Sequence, residues 1–226
     1  MNLHLSRITL RKDAPMRALA PVLVPEDRDG RIGLAHRLLW TVFGDSPDRR
    51  RDFLWREDAP GRFLVLSERQ PEDPHGMFGI ETKTFAPVLR AGDRLAFALR
   101  ANAVVSSHRP DDGRVLRSDV VMRKLYAIPA GERSAHRDRI CQEAGSEWLA
   151  RQGELHGFVP DNDVAVESYT QVRVPRDRRA RDVQFSTIDL VGHLTVAEPG
   201  KFLPAIAAGF GRSRAFGCGL MLVRKG

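Results

Sequence analysis

The segment that most constrains this chain is Gly209-Phe210-Gly211-Arg212-Ser213-Arg214-Ala215-Phe216-Gly217-Cys218-Gly219. Four glycines in eleven residues admit positive φ angles and let the backbone come close to whatever lies against it. Two arginines without an acid make a phosphate the natural ligand for such a loop. The apolar run Phe202 to Ala208 before it fits a short helix, and the strand-like Leu220-Met221-Leu222-Val223 follows. That order is neither a P-loop, which needs Gly-Lys-Ser/Thr, nor a dinucleotide fingerprint, which needs a strand before the glycines and a helix after them. Nucleoside triphosphates and NAD are therefore poor candidates. Two readings remain. Gly209, Gly211 and Gly217 either present backbone N–H groups to a ligand from outside the apolar cores, or only turn the chain from helix to strand.

Charge favours a polyanionic ligand. The 226 residues carry a formal +7 and a pI near 10.1, with an Arg-rich excess whose guanidinium forks match phosphate. The excess sits in loops: residues 173–182 hold five arginines against two aspartates, and residues 201–226 hold five basic residues and no acid. Arg173, Arg176, Arg178 and Arg179 belong to the first group, a basic hairpin tip, and Arg212 and Arg214 to the second. All six are candidate nucleic-acid-binding residues. No apolar run approaches the ~20 residues that span a bilayer, and the opening residues have no basic-then-apolar signal pattern, so a cytoplasmic protein without a membrane partner is expected. Cys141 and Cys218 form no C-x-x-C pair, no H-x-E or D-x-D cluster is present, and Asp111-Asp112 before Gly113 reads as a solvated turn. Neither a metal nor a cofactor is expected.

The order of elements predicts two small α+β units. Leu3 to Leu10 reads as a strand, with Leu3/Leu5 and Ile8/Leu10 in opposite phases, which burial of both faces or a bulge would reconcile. Ile32 to Phe43 fits a helix with the stripe Ile32, Ala35, Leu38, Leu39, Val42 and Phe43; His36 and Trp40 fall on its edge and Arg37 away from it. Residues 53–55 and 63–66 form a hairpin about Asp58-Ala59-Pro60-Gly61, and a further strand runs through Thr82 to Phe85 with an abbreviated second helix before it, or none. Leu95, Phe97 and Leu99 alternate in a strand that opens a second unit near Gly92. Ser106 to Arg117 reads as loop. Ser134 to Gln152 is a helix that Ser134 could cap, Val164–Val174 and Val183–Val196 form the hairpin with the basic tip, and the last helix and strand flank the glycine loop. The expectation is two tandem ferredoxin-like (βαββαβ) domains, residues 1–91 and 92–226, the first with its second helix abbreviated.

Several segments together resemble one family. Leu5-Ser6-Arg7, His36-Arg37-Leu38-Leu39-Trp40, Asp52-Phe53-Leu54-Trp55, Leu99-Arg100-Ala101-Asn102 and the Gly-x-Gly-(five residues)-Gly-x-Gly-Leu of Gly209 to Leu220 are similar to the CasE endoribonucleases of the repeat-associated CRISPR RNA-binding superfamily. The resemblance implies a metal-independent endoribonuclease that cuts precursor CRISPR RNA in the repeat beside its stem-loop and stays bound as a Cascade subunit. Its implied partners are that stem-loop RNA and the other Cascade subunits. His36 matches the family's catalytic histidine. Some relatives carry a tyrosine three positions earlier, where this chain has Gly33.

The chemistry is compatible with those residue types. RNA carries its own nucleophile, so cleavage needs an aligned 2′-hydroxyl, a proton-transfer group and stabilisation of the phosphorane charge. Histidine, with an ordinary pKa of ~6.5, suits the first transfer, and Arg212, Arg214 and the loop's N–H groups suit the phosphate. This route leaves a 5′-hydroxyl and a 2′,3′-cyclic phosphate. The alternative is a non-catalytic RNA-binding subunit in which His36 only packs.

Overall fold

The computed structural model describes residues 3–13, 23–44, 46, 50–108, 113–175 and 182–225. Strand β1 (Leu3–Leu10) is followed by helix α1 (Arg28–Trp40), the hairpin β2 (Phe53–Ala59) and β3 (Arg62–Ser67), and β4 (Phe78–Phe85). These strands form one antiparallel sheet in the order β2-β3-β1-β4. Asp27 starts α1: its carboxylate accepts the N–H of Gly30 at 2.6 Å, satisfying a donor that has no partner inside the helix. No helix separates β3 from β4 among the described residues.

The two phases of β1 are both buried. Ile8 and Leu10 pack with Phe53, Trp55, Phe63 and Val65 beneath Ala35, Leu38 and Leu39 of α1. Leu3 and Leu5, with Leu54, Leu64 and Leu66, face the other way, into a core they share with the C-terminal half. A sheet covered on both faces needs apolar residues in both phases, which is why Phe53-Leu54-Trp55 and Phe63-Leu64-Val65-Leu66 run without alternation.

The C-terminal half builds a second antiparallel sheet from β5 (Arg94–Ala101), β8 (Phe158–Pro160), β9 (Ala165–Val174), β10 (Val183–Val196) and β11 (Met221–Lys225). Its order is β11-β5-β10-β8, with β9 also paired to β10. Between β5 and β8 lie the hairpin β6 (Val104–His108) and β7 (Val115–Asp119), the short α2 (Val120–Leu125) and the long α3 (Arg133–His156); α4 (Pro199–Ala208) joins β10 to the glycine loop. Trp148, Leu149, Ile140 and Ala144 of α3 are buried against this sheet.

Two expectations are corrected. Ser106 to Arg117 is not all loop: β6 and β7 pair from Val104↔Asp119 to His108↔Val115. Ser134 does not cap α3, because the helix begins at Arg133 directly from a 3₁₀ turn at Ala130–Glu132, and Glu132 at the cap position makes no side-chain cap bond.

Candidate active site

His36 is half-buried on the flank of α1, between buried Ala35 and exposed Arg37. Trp40, one turn on, donates its indole Nε1–H to His36 Nε2 at 3.0 Å. The neutral ring therefore carries its proton on Nδ1, and its lone pair is shared with the indole. On the other side the ring meets Phe216, with centroids 6.0 Å apart. Phe216 belongs to a 3₁₀ turn at Arg214–Phe216 inside the glycine loop, so the helix of the first sheet and the loop of the second meet at this histidine.

The loop reaches that position by clasping the free edge of the first sheet. β2 is the edge strand, with Leu54 and Trp55 on its opposite faces. A Cβ on Gly209 would lie 2.8 Å from Leu54, and one on Gly217 would lie 3.2 Å from the Trp55 ring. The indole N–H of Trp55 donates to the carbonyl of Ala215 at 3.2 Å. Gly209, Gly211, Gly217 and Gly219 all have positive φ. The loop is therefore not outside the cores: Phe210, Cys218 and Leu220 are fully buried. Its backbone donors are also partly taken, since the N–H groups of Phe210, Arg212, Phe216 and Gly219 bond to the carbonyls of Gly219, Asn102, Ser213 and Arg100. Ser213 sits between the two arginines in left-handed geometry, φ 53°, with its hydroxyl on Asn102 Oδ1 at 3.2 Å. A non-glycine residue held there is strained.

The electrostatics around His36 are one-signed. Burial holds its pKa below the ordinary value, and the Arg51 and Arg37 guanidiniums push it further the same way. Arg51 is itself lowered by burial and by Arg214, and Arg214 by burial and by Arg212. Arg51 Nη1 is buried with no hydrogen-bond partner among the described residues. At the far end of the loop Phe210 meets a second histidine, His156, edge-on at 5.6 Å; its pKa is lowered by burial and by Arg214. A track of cations with no compensating carboxylate in these interactions suits a chain of phosphates.

The expected residues divide accordingly. His36, Gly209, Gly211, Arg212, Arg214 and Gly217 are brought to one region; Arg212 is exposed, and Arg214 is half-buried with its Nε on the Gly211 carbonyl at 3.2 Å. Arg173 lies at the turn end of the β9–β10 hairpin, opposite Gln184, and pairs with Asp182 at 2.6 Å. Arg176, Arg178 and Arg179 lie outside the described residues. Arg51 escaped the sequence reading although a signal existed: it precedes Phe53 and Trp55 at alternate positions, and both of those point under α1.

A profile of the family described as CRISPR associated protein matches residues 3–225. The chain belongs to that family. The CRISPR-associated endoribonuclease Cse3 of Thermus thermophilus is 26% identical to it over 219 residues, spanning 89% of this chain and 96% of that protein. The CRISPR system Cascade subunit CasE of Escherichia coli is 25% identical over 191 residues, spanning 82% and 88%. A solved structure of CRISPR endoribonuclease Cse3 bound to a 19-nucleotide RNA has a TM-score of 0.65 at 23% identity, covering 99% of this chain and 98% of that one, so the fold is shared. In this CRISPR associated protein, Gly33 has a steric reason: a Cβ there would lie 3.0 Å from Val174 Cγ1 of β9. Helix α1 packs against the β9–β10 hairpin through Ile32, Val172 and Val174, so a side chain at position 33 must displace Val174.

Proposed function

We propose that this protein is a metal-independent endoribonuclease that cleaves precursor CRISPR RNA within the repeat, next to its stem-loop, and stays on the mature guide as a Cascade subunit in the cytoplasm. Family membership and the names of the Cse3 and CasE relatives support the reaction class. The observation that carries it to particular atoms is a half-buried histidine beside the guanidinium of Arg51, which has no hydrogen-bond partner at Nη1 among the described residues and which Arg214 approaches in turn. Residues 1–91 and 92–226 are read as two tandem ferredoxin-like domains, the first without its second helix; the strand orders β2-β3-β1-β4 and β11-β5-β10-β8 support that reading. The β9–β10 hairpin with Arg173, Arg176, Arg178 and Arg179 would hold the stem-loop.

His36, kept neutral near pH 7 by burial and by Arg51 and Arg37, accepts the proton of the 2′-hydroxyl as that oxygen bonds to phosphorus. Its available lone pair is on Nε2, so uptake displaces the Trp40 N–H. The imidazolium returns a proton to the departing 5′-oxygen as the P–O5′ bond breaks, leaving a 2′,3′-cyclic phosphate and a 5′-hydroxyl. Arg51 and Arg214 stabilise the charge that builds on the phosphorane. The test is incubation of the protein in EDTA with the repeat RNA of the genome that encodes it. One cut per repeat with those ends is expected, and His36→Ala should slow single-turnover cleavage ~10²–10⁴-fold with RNA affinity retained. Loss of cleavage in EDTA, or an undiminished His36→Ala rate, refutes the mechanism. The packing of Gly33 on Val174 favours the alternative of a non-catalytic RNA-binding subunit; tight binding of the repeat without any cut by the wild type would establish it.

A further inference from the structure

A cavity of about 280 Å³ opens at the seam of the two sheets. Its walls come from α1 (Arg31, Ile32), the end of β2 (Glu57, Asp58), the second sheet (Thr187, Asp189) and the loop (Phe216, Gly217). Unlike the surroundings of His36, it carries both signs of charge. Arg31 lies 3.3 Å from Glu57, and Arg100 grips Asp189 through two bonds of 2.8 and 2.9 Å. Such a lining rejects a phosphate and accepts a neutral polar group. It also holds unspent hydrogen-bonding capacity. The Thr187 hydroxyl, on a residue only 1% exposed, has no hydrogen-bond partner among the described residues. Buried polar groups in folded proteins are almost always bonded to protein, water or ligand.

Phe216 joins the two regions. Its ring stacks on Phe185, meets His36 and also lines the cavity, and Ile32 of the cavity wall is one helical turn before His36. A cationic place for phosphate and a neutral polar place with an aromatic wall, one side chain apart, match the two halves of a nucleotide. Resting on the endoribonuclease reading, we infer that this cavity receives the nucleobase of a nucleotide adjoining the scissile phosphate. The base packs against Phe216 beside the stack that ring makes with Phe185, as unpaired RNA bases do on aromatic side chains, and its edge takes up the hydroxyl of Thr187. The cavity is then a specificity site for an unpaired base at the cut, separate from the surface that holds the stem.

The experiment uses the full chain and its repeat RNA, with a single abasic nucleotide placed immediately 5′ or 3′ of the cut, and compares wild type with Thr187→Val. Affinity is measured together with single-turnover cleavage. One of the two abasic RNAs should lose ~10–100-fold in affinity or in kcat/KM, the effect of removing a stacked and hydrogen-bonded base. Thr187→Val should weaken the intact RNA several-fold and leave that abasic RNA unaffected. If both abasic RNAs match the intact one, or Thr187→Val acts equally on all three, the cavity holds water only and the inference is wrong. Absence of cleavage of intact RNA by the wild type would instead refute the endoribonuclease reading, and the affinities would still decide the cavity.

Discussion

Replacement of Gly211 by alanine tests whether the glycine loop is a structural clasp. Gly211 has φ +72°, and a Cβ there would lie 2.7 Å from the carbonyl oxygen of Asn102 and 3.3 Å from the Trp148 ring. The left-handed conformation costs an L-residue ~1–2 kcal/mol. The contact adds to this, because the obstructing atom is backbone and is the acceptor of the Arg212 N–H at 3.2 Å. Moving it forfeits a hydrogen bond of ~0.5–1.5 kcal/mol. The expected total is ~2–3 kcal/mol, a fall in Tm of ~4–12 °C for a chain of this size. Gly76→Ala is the control: its φ is +65°, but nothing lies within 4 Å of the added methyl. Thermal melts followed by circular dichroism should rank wild type above Gly76→Ala and Gly76→Ala above Gly211→Ala. Equal melting temperatures for the two variants would refute the packing argument, and the loop would then be open to ligand at that position.

Trp40→Phe removes an N–H donor that stabilises neutral His36. The pKa of His36 should rise, because the neutral ring loses a hydrogen bond at Nε2 that the imidazolium cannot accept. Since the proposed mechanism uses the neutral ring, the acid limb of the cleavage pH profile should move to higher pH; an unmoved limb would sever the link between Trp40 and His36. Arg51→Ala should slow cleavage by ~10²–10³-fold, as loss of a preorganised charge-stabilising donor does, while leaving the fold as stable or more so, since an uncompensated buried guanidinium is a burden without RNA. A variant that melts earlier and cleaves normally would make Arg51 structural. Asp189→Ala should cost ~3–5 kcal/mol in urea unfolding, because it strands Arg100 and Arg56 against the second sheet. Burial pushes the Asp189 carboxyl up, but the Arg100 pair outweighs it, and both side chains are less than one quarter exposed or close to it, 8% and 24%. A loss below ~1 kcal/mol would show that solvent replaces the partner.

Much of the framework was legible because periodicity reports burial. The stripe from Ile32 to Phe43 is buried at every position named, although α1 ends at Trp40 and Val42 and Phe43 follow in a turn; His36 and Trp40 lie on its edge as their spacing requires, and β5 alternates at Leu95, Phe97 and Leu99. The β6–β7 hairpin was invisible for the same reason. It pairs only with itself, and Val115 and Leu116 remain 48% and 42% exposed, so no buried face imposes a period. Helix α2 spans only six residues, too few for a stripe to show. The site was less legible. The glycines announced close backbone approach, yet nothing local says that the neighbour is Leu54 and Trp55 rather than a ligand. The meeting of His36 with Phe216 depends on how two sheets pack, which no spacing records.

The bond from Trp55 to the carbonyl of Ala215 joins residues 160 positions apart. A ribosome delivers His36, its helix and all of the first sheet long before the loop that faces them. Domains fold largely in the order in which they emerge, at ~5–20 residues per second. For some seconds to tens of seconds, each nascent molecule thus displays the histidine and Arg51 without Phe216 or Arg214. On the proposed mechanism, a half-made chain holds the proton-transfer group without half of its surroundings. The complete site then forms only when residue 216 is free of the exit tunnel, so the clasp that fastens the fold is also its last part to be made.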